Sequence, residues 1–220
     1  MKNLYVFALV EQAPAPFSAA GHRIEFVEVE GVYAAVERIR RAPAVTEDAL
    51  RAQHEVVEHI ANRVRAILPA RFGALVDERE LGAVVFQRRT GIREALALVL
   101  GRRQMTARLL AVDAAPAVAD SVPSRVVSGT EYLEGRRAAA SPPLGTALAG
   151  LASAVRSYVV AERAEGSRGR VLSTVYHLID QRDEEAYRAA AAPVQRGTHD
   201  STLTISGPWA PFAFGPDLWA

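Results

Sequence analysis

Two histidines and two carboxylates fall within six residues at His54-Glu55-Val56-Val57-Glu58-His59, and residue types like these bind zinc or move protons. Their spacing does not build such a site. A zinc-protease helix carries His at i and i+4 with Glu at i+1, yet position 58 is Glu, and the inverted motif needs His at position 55, which is also Glu. His54 and His59 stand about 140° apart around a helix and cannot grip one ion. His54 with Glu58, or Glu55 with His59, supplies two ligands where zinc sites use three or four. The expectation is no metal and no cofactor, with His54 hydrogen-bonded on a helix face.

The other reactive-looking groups lead to the same place. Arg71 beside Phe72 could clamp an anion, but a guanidinium there more simply bonds carbonyls at a helix end or a neighbouring carboxylate, holding a bend. Gly166-Ser167-Arg168-Gly169-Arg170 lacks the length and the Lys-Ser/Thr ending of a phosphate loop. Ser128-Gly129-Thr130 precedes an expected helix without a nucleophile elbow, and no His-Asp pair is placed to serve it. Arg102-Arg103 and Arg136-Arg137 are basic pairs at expected helix ends, where the helix dipole accounts for them. No constellation supports catalysis, so the chain is not expected to be an enzyme.

Composition narrows the classes further. Over 220 residues, 23% are charged and the net charge is +1, which gives no electrostatic case for nucleic acid or an anionic membrane. The absence of cysteine removes disulfides, thiolate chemistry and cysteine-ligated metals. The apolar start, residues 4–10, ends at Glu11-Gln12 without an Ala-x-Ala site, so it reads as a buried strand rather than a signal peptide. No apolar stretch approaches the ~20 residues that cross a bilayer. A soluble, cytosolic chain is expected.

The elements that position these residues follow from hydrophobic period and punctuation. Residues 4–10 are apolar on both faces, as in a central strand, with Pro14 and Pro16 beyond. Residues 24–29 and 32–36 suggest a hairpin turning at Glu30-Gly31. Thr46 followed by Glu47 and Asp48 caps a helix whose apolar positions, Leu50, Val57, Ile60, Ala61, Val64, Ile67 and Leu68, carry it to a stop at Pro69. A bend at Arg71-Phe72-Gly73 then leads into a short extended segment. Asp77 with Glu80 caps a second helix running to about residue 100, with seam residues Leu81, Val84, Val85, Ile92, Leu96 and Val99, a bend or break near residues 88–90 beside Gly91, and Gly101 as its stop. A strand over residues 105–111 follows.

The expected fold class is α+β, an α/β sandwich in two domains. Residues 1–113 form a ferredoxin-like sheet with two long helices, 114–127 a linker, and 128–220 a smaller α+β domain ending in an aromatic, proline-rich tail. In the second half the expected elements are a helix from residue 128 interrupted at Pro142-Pro143, a helix over 146–165 with Leu148, Leu151, Ala152, Val155 and Val159 on its packed face, and a strand over 171–179. A short helix capped by Asp183 and ended by Pro193 follows, then a strand over 201–205. The two halves are candidates for structural kinship. In the tail, Trp209 and Phe212 are expected to fold back over the groove between the halves, with Phe214 and Trp219 more open as a docking patch.

Three segments resemble the gas vesicle protein GvpL/GvpF family. The first is His54-Glu55, an apolar helix, and then Leu68-Pro69-x-Arg71-Phe72-Gly73; the second is Tyr176-His177-Leu178-Ile179-Asp180. The third is Gly207-Pro208-Trp209-Ala210-Pro211-Phe212-Ala213-Phe214, where Phe212 replaces the usual Tyr and Ala213 a common Ser. Gly129-Thr130-x-Tyr132-Leu133 is similar to a further segment of that family. The resemblance implies a minor structural or accessory protein of gas vesicle assembly. Its implied partners are the small hydrophobic shell subunit and other accessory proteins, with neither nucleic acid nor membrane involved, and its implied place is the gas vesicle within the cytoplasm. The motif residues His54, Glu55, Arg71, Phe72, Gly73, Tyr176, Asp180, Gly207, Pro208, Trp209, Pro211, Phe212 and Phe214 become the structural or interaction candidates. Two other readings stay open, a small-ligand-binding protein or enzyme on a ferredoxin-like fold, and a homo-oligomeric scaffold.

Overall fold

A computed structural model describes residues 3–111, 146–167, 170–196 and 201–216. The chain forms two units, one of Met1–Gln104 with Pro208–Ala220 and one of Met105–Gly207. Both are mixed α+β. The closing segment, expected with the second half, is therefore part of the first unit, and the expected linker, the helix from residue 128, Pro142-Pro143, Arg136-Arg137 and Trp219 lie outside the described residues.

The first unit is organised on β1 (Asn3–Val10), whose residues Leu4 to Val10 are all essentially inaccessible to solvent. Burial on both faces explains its unbroken apolar run. The strand order is β2-β3-β4-β1-β5, where β2 is Phe17–Ala19, β3 is His22–Val29, β4 is Val32–Ile39 and β5 is Ile67–Pro69; β6 (Leu75–Val76) also pairs with β1. The β3–β4 hairpin turns at Glu30 and Gly31, with φ of 51° and 79° as a two-residue primed turn requires. The shorter β2–β3 hairpin was not foreseen. Its turn residues, Ala20 and Gly21, have φ of 48° and 80°, and an alanine there gives no sequence signal for a left-handed backbone.

Helix α1 (Glu47–Ala61) begins as expected, with Thr46 Oγ1 accepting from the Ala49 N–H at 3.2 Å. It ends two turns early. Asn62 caps it, and Ile67, Leu68 and Pro69 pair instead with Val10, Leu9 and Ala8 of β1. A short apolar run serves a helix seam or a buried strand equally well, and Pro69 is tolerated because β5 lies at the sheet edge. Leu50, expected in the seam, is 45% exposed. With Val45 it occupies the flanking positions of a hydrophobic staple around the Thr46 cap.

Helix α2 (Glu78–Val99) is capped by Asp77 Oδ1, which accepts from the Glu80 N–H at 2.7 Å. It runs unbroken through Gly91. Val85 and Ile92 are buried on either side of the expected break and hold the helix in register against the core. Gly101, with φ of 69°, ends the turn after it and donates to the Arg65 carbonyl at 2.7 Å.

The second unit contains, among the described residues, β7 (Arg102–Ala111) from Met105 onward, α3 (Thr146–Val155), β8 (Val159–Glu165), β9 (Val171–Asp180), α4 (Glu184–Arg196) and β10 (Ser201–Trp209) as far as Gly207. Its sheet order is β10-β7-β9-β8. A β-α-β-β-α-β chain with its first and third strands in the middle is the ferredoxin-like arrangement, which thus belongs to this unit. The first unit runs β-β-β-β-α-β-β-α before β7.

Three expectations change here. The helix from residue 146 ends at Val155, and Val159 opens a strand; α4 continues through Pro193 to Arg196; and β10 extends to Trp209 through Pro208, which its place at the sheet edge permits. Met105, Ala107 and Leu109 of β7 pack with Leu148, Leu151 and Val155 of α3 and with Tyr187 and Ala191 of α4. Gly150 brings α3 close to α4, since a Cβ there would lie 3.6 Å from Val194 Cγ1.

Candidate functional site

Most of the signature residues gather in the first unit, around the outer face of α1. His54 projects from the second turn, and its ring lies 5.3 Å from that of Trp209 at 64° and 5.7 Å from that of Phe212 at 24°. The expected hydrogen-bonded histidine is an aromatic partner, edge to face with Trp209 and stacked on Phe212. Glu58, one turn on, receives the Ala210 N–H at Oε1 (2.7 Å), while its Oε2 lies 3.5 Å from Arg103 Nη1. Arg103, only 7% exposed, also donates to the Ala61 carbonyl at 3.1 Å and to Asn62 Oδ1 at 2.6 Å. A buried guanidinium with several acceptors both neutralises Glu58 and closes the carbonyl end of α1.

The closing segment is held at one further point and shaped by a bond of its own. Gln104 Oε1 accepts from the Ala213 N–H at 2.8 Å, and Phe214 donates its N–H to the Pro211 carbonyl at 3.1 Å within a single 3-10 turn. Phe214 is 2% exposed, so the expectation that it stays open is corrected: the turn at Pro211 aims the ring inward. Phe212 remains 39% exposed beside His54.

At the bend before α2, Gly73 has φ of 88° and donates its N–H to the Tyr5 hydroxyl at 3.2 Å. Tyr5 in turn donates to Gln53 Oε1 of α1, and Gln53 Nε2 donates to the Ala70 carbonyl at 3.2 Å. Burial pushes the Tyr5 phenol above its ordinary 10.0, only partly offset by the Gly73 N–H, so it stays protonated and keeps donating. The half-buried Phe72 ring meets Tyr5 edge to face, with centroids 6.4 Å apart. Arg71 and Glu55 are exposed; the Arg71 carbonyl receives the Ala74 N–H at 3.4 Å, and the Glu55 carbonyl receives His59 Nδ1–H at 3.0 Å.

The remaining candidates lie in the second unit, apart from Pro208, which opens the last segment of the first. Tyr176 donates to Glu165 Oε2 at 2.9 Å beside an open hollow of about 520 Å³ lined also by Arg108, Ser167, Val171 and Thr174. Asp180 ends β9, and Gly207 has φ of 118° while its carbonyl accepts from Arg188. Pro208 lies in the edge strand β10, one residue before Trp209.

The sequence carries no reading of Tyr5, Gln53 or Gln104 as site residues; it gives Ala210 only a place in the closing signature, Glu58 only a rejected metal role and Arg103 only a dipole role at a helix end, where the structure has it bonding the end of α1. Gln53 carried a usable signal, because it sits on the buried side of α1 with Val57 and Ile60 where an apolar residue is expected. Among the described residues no group of three or more His, Cys, Asp or Glu could hold a metal ion. The polar atoms of this cluster are occupied in joining α1, the Arg71-Phe72-Gly73 bend and the closing segment.

Comparison with known proteins agrees with this architecture. The chain is similar to the solved structures of gas vesicle protein GvpF from Microcystis aeruginosa, at 12% identity and a TM-score of 0.74 over 96% of this chain and 98% of that one, and from Anabaena sp. PCC7120, at 13% identity and 0.74 over 98% and 97%. These likenesses establish the fold. No curated protein matches the chain. The family model described as "Gas vesicle synthesis protein GvpL/GvpF" matches residues 3–216, and the chain belongs to that family.

Proposed function

We propose that the protein is a non-enzymatic assembly factor that binds the small hydrophobic shell subunit, together with other accessory proteins, during gas vesicle formation. Membership of the family ties the chain to gas vesicle synthesis, and the match over residues 3–216 is the observation that carries the reading. Among the described residues no helix is long and apolar enough to cross a membrane. The gas vesicle, within the cytoplasm, is the place this reading assigns it.

The outer face of α1 supplies a surface suited to the task. Leu50 and Phe212 are 45% and 39% exposed, and His54, four residues after Leu50, stacks on Phe212. An apolar rim on an ordered aromatic base can cover the apolar face of a subunit before it polymerises, lowering its tendency to aggregate. Co-expression with the shell subunit tests this. The wild type is expected to hold the subunit in a soluble complex at micromolar concentration, and Phe212→Asp with Leu50→Asp to lose it. No complex with the wild type overturns the reading.

A further inference from the structure

We propose that the exposed flank of α2 is a second docking surface, for an acidic amphipathic helix of a partner protein. The inference stands independently of the shell-subunit reading. Arg79, Phe86 and Arg93 are seven residues apart and so form one line along the helix, drifting only about 20° per step, with Gly82 and Arg89 one turn from Phe86 on the same side. This line is separate from the buried stripe of Leu81, Val85, Ile92, Leu96 and Val99. Phe86 is 52% exposed, and the Arg89 guanidinium carbon sits 4.6 Å from its ring centroid.

The charge on this line is unlike that of the other surface helices. Arg51 on α1 and Arg188 on α4 each pair with a carboxylate four residues earlier, Glu47 at 2.7 Å and Glu184 at 2.9 Å. On α2 no Asp or Glu occurs between Glu80 and Glu94. Four residues before Arg89 stands Val85, and four before Arg93 stands Arg89 itself, a like-charge spacing that disfavours the helix. Arg89 donates to the Phe86 carbonyl at 3.2 Å and Arg93 to the Glu30 carbonyl at 3.5 Å, so these bonds orient the guanidinium groups without cancelling their charge.

Gly82 weakens the helix relative to alanine without a steric need inside the fold, since a Cβ there would meet nothing within 4 Å. A partner helix offering an apolar side chain to Phe86 over Gly82, and carboxylates to Arg89 and Arg93, satisfies the charge and uses the open space. A second copy of this chain would set the same arginines against one another. Phosphate polyanions would leave Phe86 unused and meet Glu78, Glu80 and Glu94 on the same helix.

The test uses the full-length protein and a labelled synthetic helical peptide with a leucine stripe flanked by glutamates, followed by fluorescence anisotropy. Its lysine counterpart, a short DNA duplex and phosphatidylglycerol vesicles are run alongside. The acidic peptide is expected to bind, and to weaken about tenfold or more in Phe86→Ala and in the Arg89→Glu, Arg93→Glu double variant. The double variant should gain the lysine peptide. Gly82→Glu, whose Cβ meets nothing within 4 Å, should block the acidic peptide while circular dichroism stays unchanged. No binding by the wild type, equal binding by the variants, or preference for duplex or vesicles through the same arginines overturns the proposal.

Discussion

The buried polar groups of the two units differ in the lengths of chain they join. In the first, Tyr5 reaches Gln53 and Gly73, Gln104 reaches the Ala213 N–H, and Glu58 reaches the Ala210 N–H across 152 residues of sequence. In the second, His177 bonds Tyr187 at 2.7 Å and Glu162 at 3.1 Å, only 10 and 15 residues away. Long-range contacts close large loops, so each anchor in the first unit fixes chain that local propensity cannot place. The second set instead satisfies polar groups inside one ferredoxin-like layer. Gly73 at the bend and the closing segment of the first unit are thus held by an anchoring network of side chains distant in sequence.

The largest effect is expected at Glu58. Glu58→Ala strands the Ala210 N–H and leaves the buried Arg103 with fewer acceptors, and should destabilise the first unit by about 2–3 kcal/mol in urea unfolding. A loss under half a kilocalorie would demote the anchor to an incidental contact. Gly73→Ala comes next, at about 1–2 kcal/mol, because a side chain at φ of 88° is strained even with open space around it.

The smallest effect near neutral pH belongs to the second unit. Burial outweighs the Glu162 carboxylate and holds the His177 imidazole below its ordinary 6.5, so the folded state keeps it neutral, with Nε2–H donated to Glu162 and Nδ1 accepting from Tyr187. Burial likewise raises the Tyr187 phenol, which stays protonated as the donor. The unfolded chain binds this proton at higher pH than the folded one. Stability is therefore fully present above about pH 6.5 and declines as pH falls toward the folded value. His177→Gln should flatten that part of the stability-against-pH curve, and an unchanged slope would show that other groups produce it.

What was legible in the sequence was what local chemistry decides. Thr46 and Asp77 announced their helices, the double-sided apolar run of β1 its central place, and Glu30-Gly31 its turn, because each signal lies within a few residues of its effect. The apolar pattern of residues 67–69 fits a helix seam or a strand equally well, and the open side of β1 decides for the strand. Val159 was lost from its expected helix in the same way, to pairing with β9. The candidate site was half legible: His54, Phe72, Gly73, Trp209 and Phe212 could be named, but their convergence depends on Tyr5, Gln53, Arg103 and Gln104, whose partners lie far away in sequence.

Hydrogen exchange at a single amide tests the anchoring account most directly. The Ala210 N–H, bonded to Glu58 Oε1 at 2.7 Å, should exchange orders of magnitude more slowly than an open amide and lose that protection in Glu58→Ala, while amides at the centre of β9 keep theirs. An Ala210 amide that exchanges at the open rate in the wild type, or stays protected without Glu58, would contradict it.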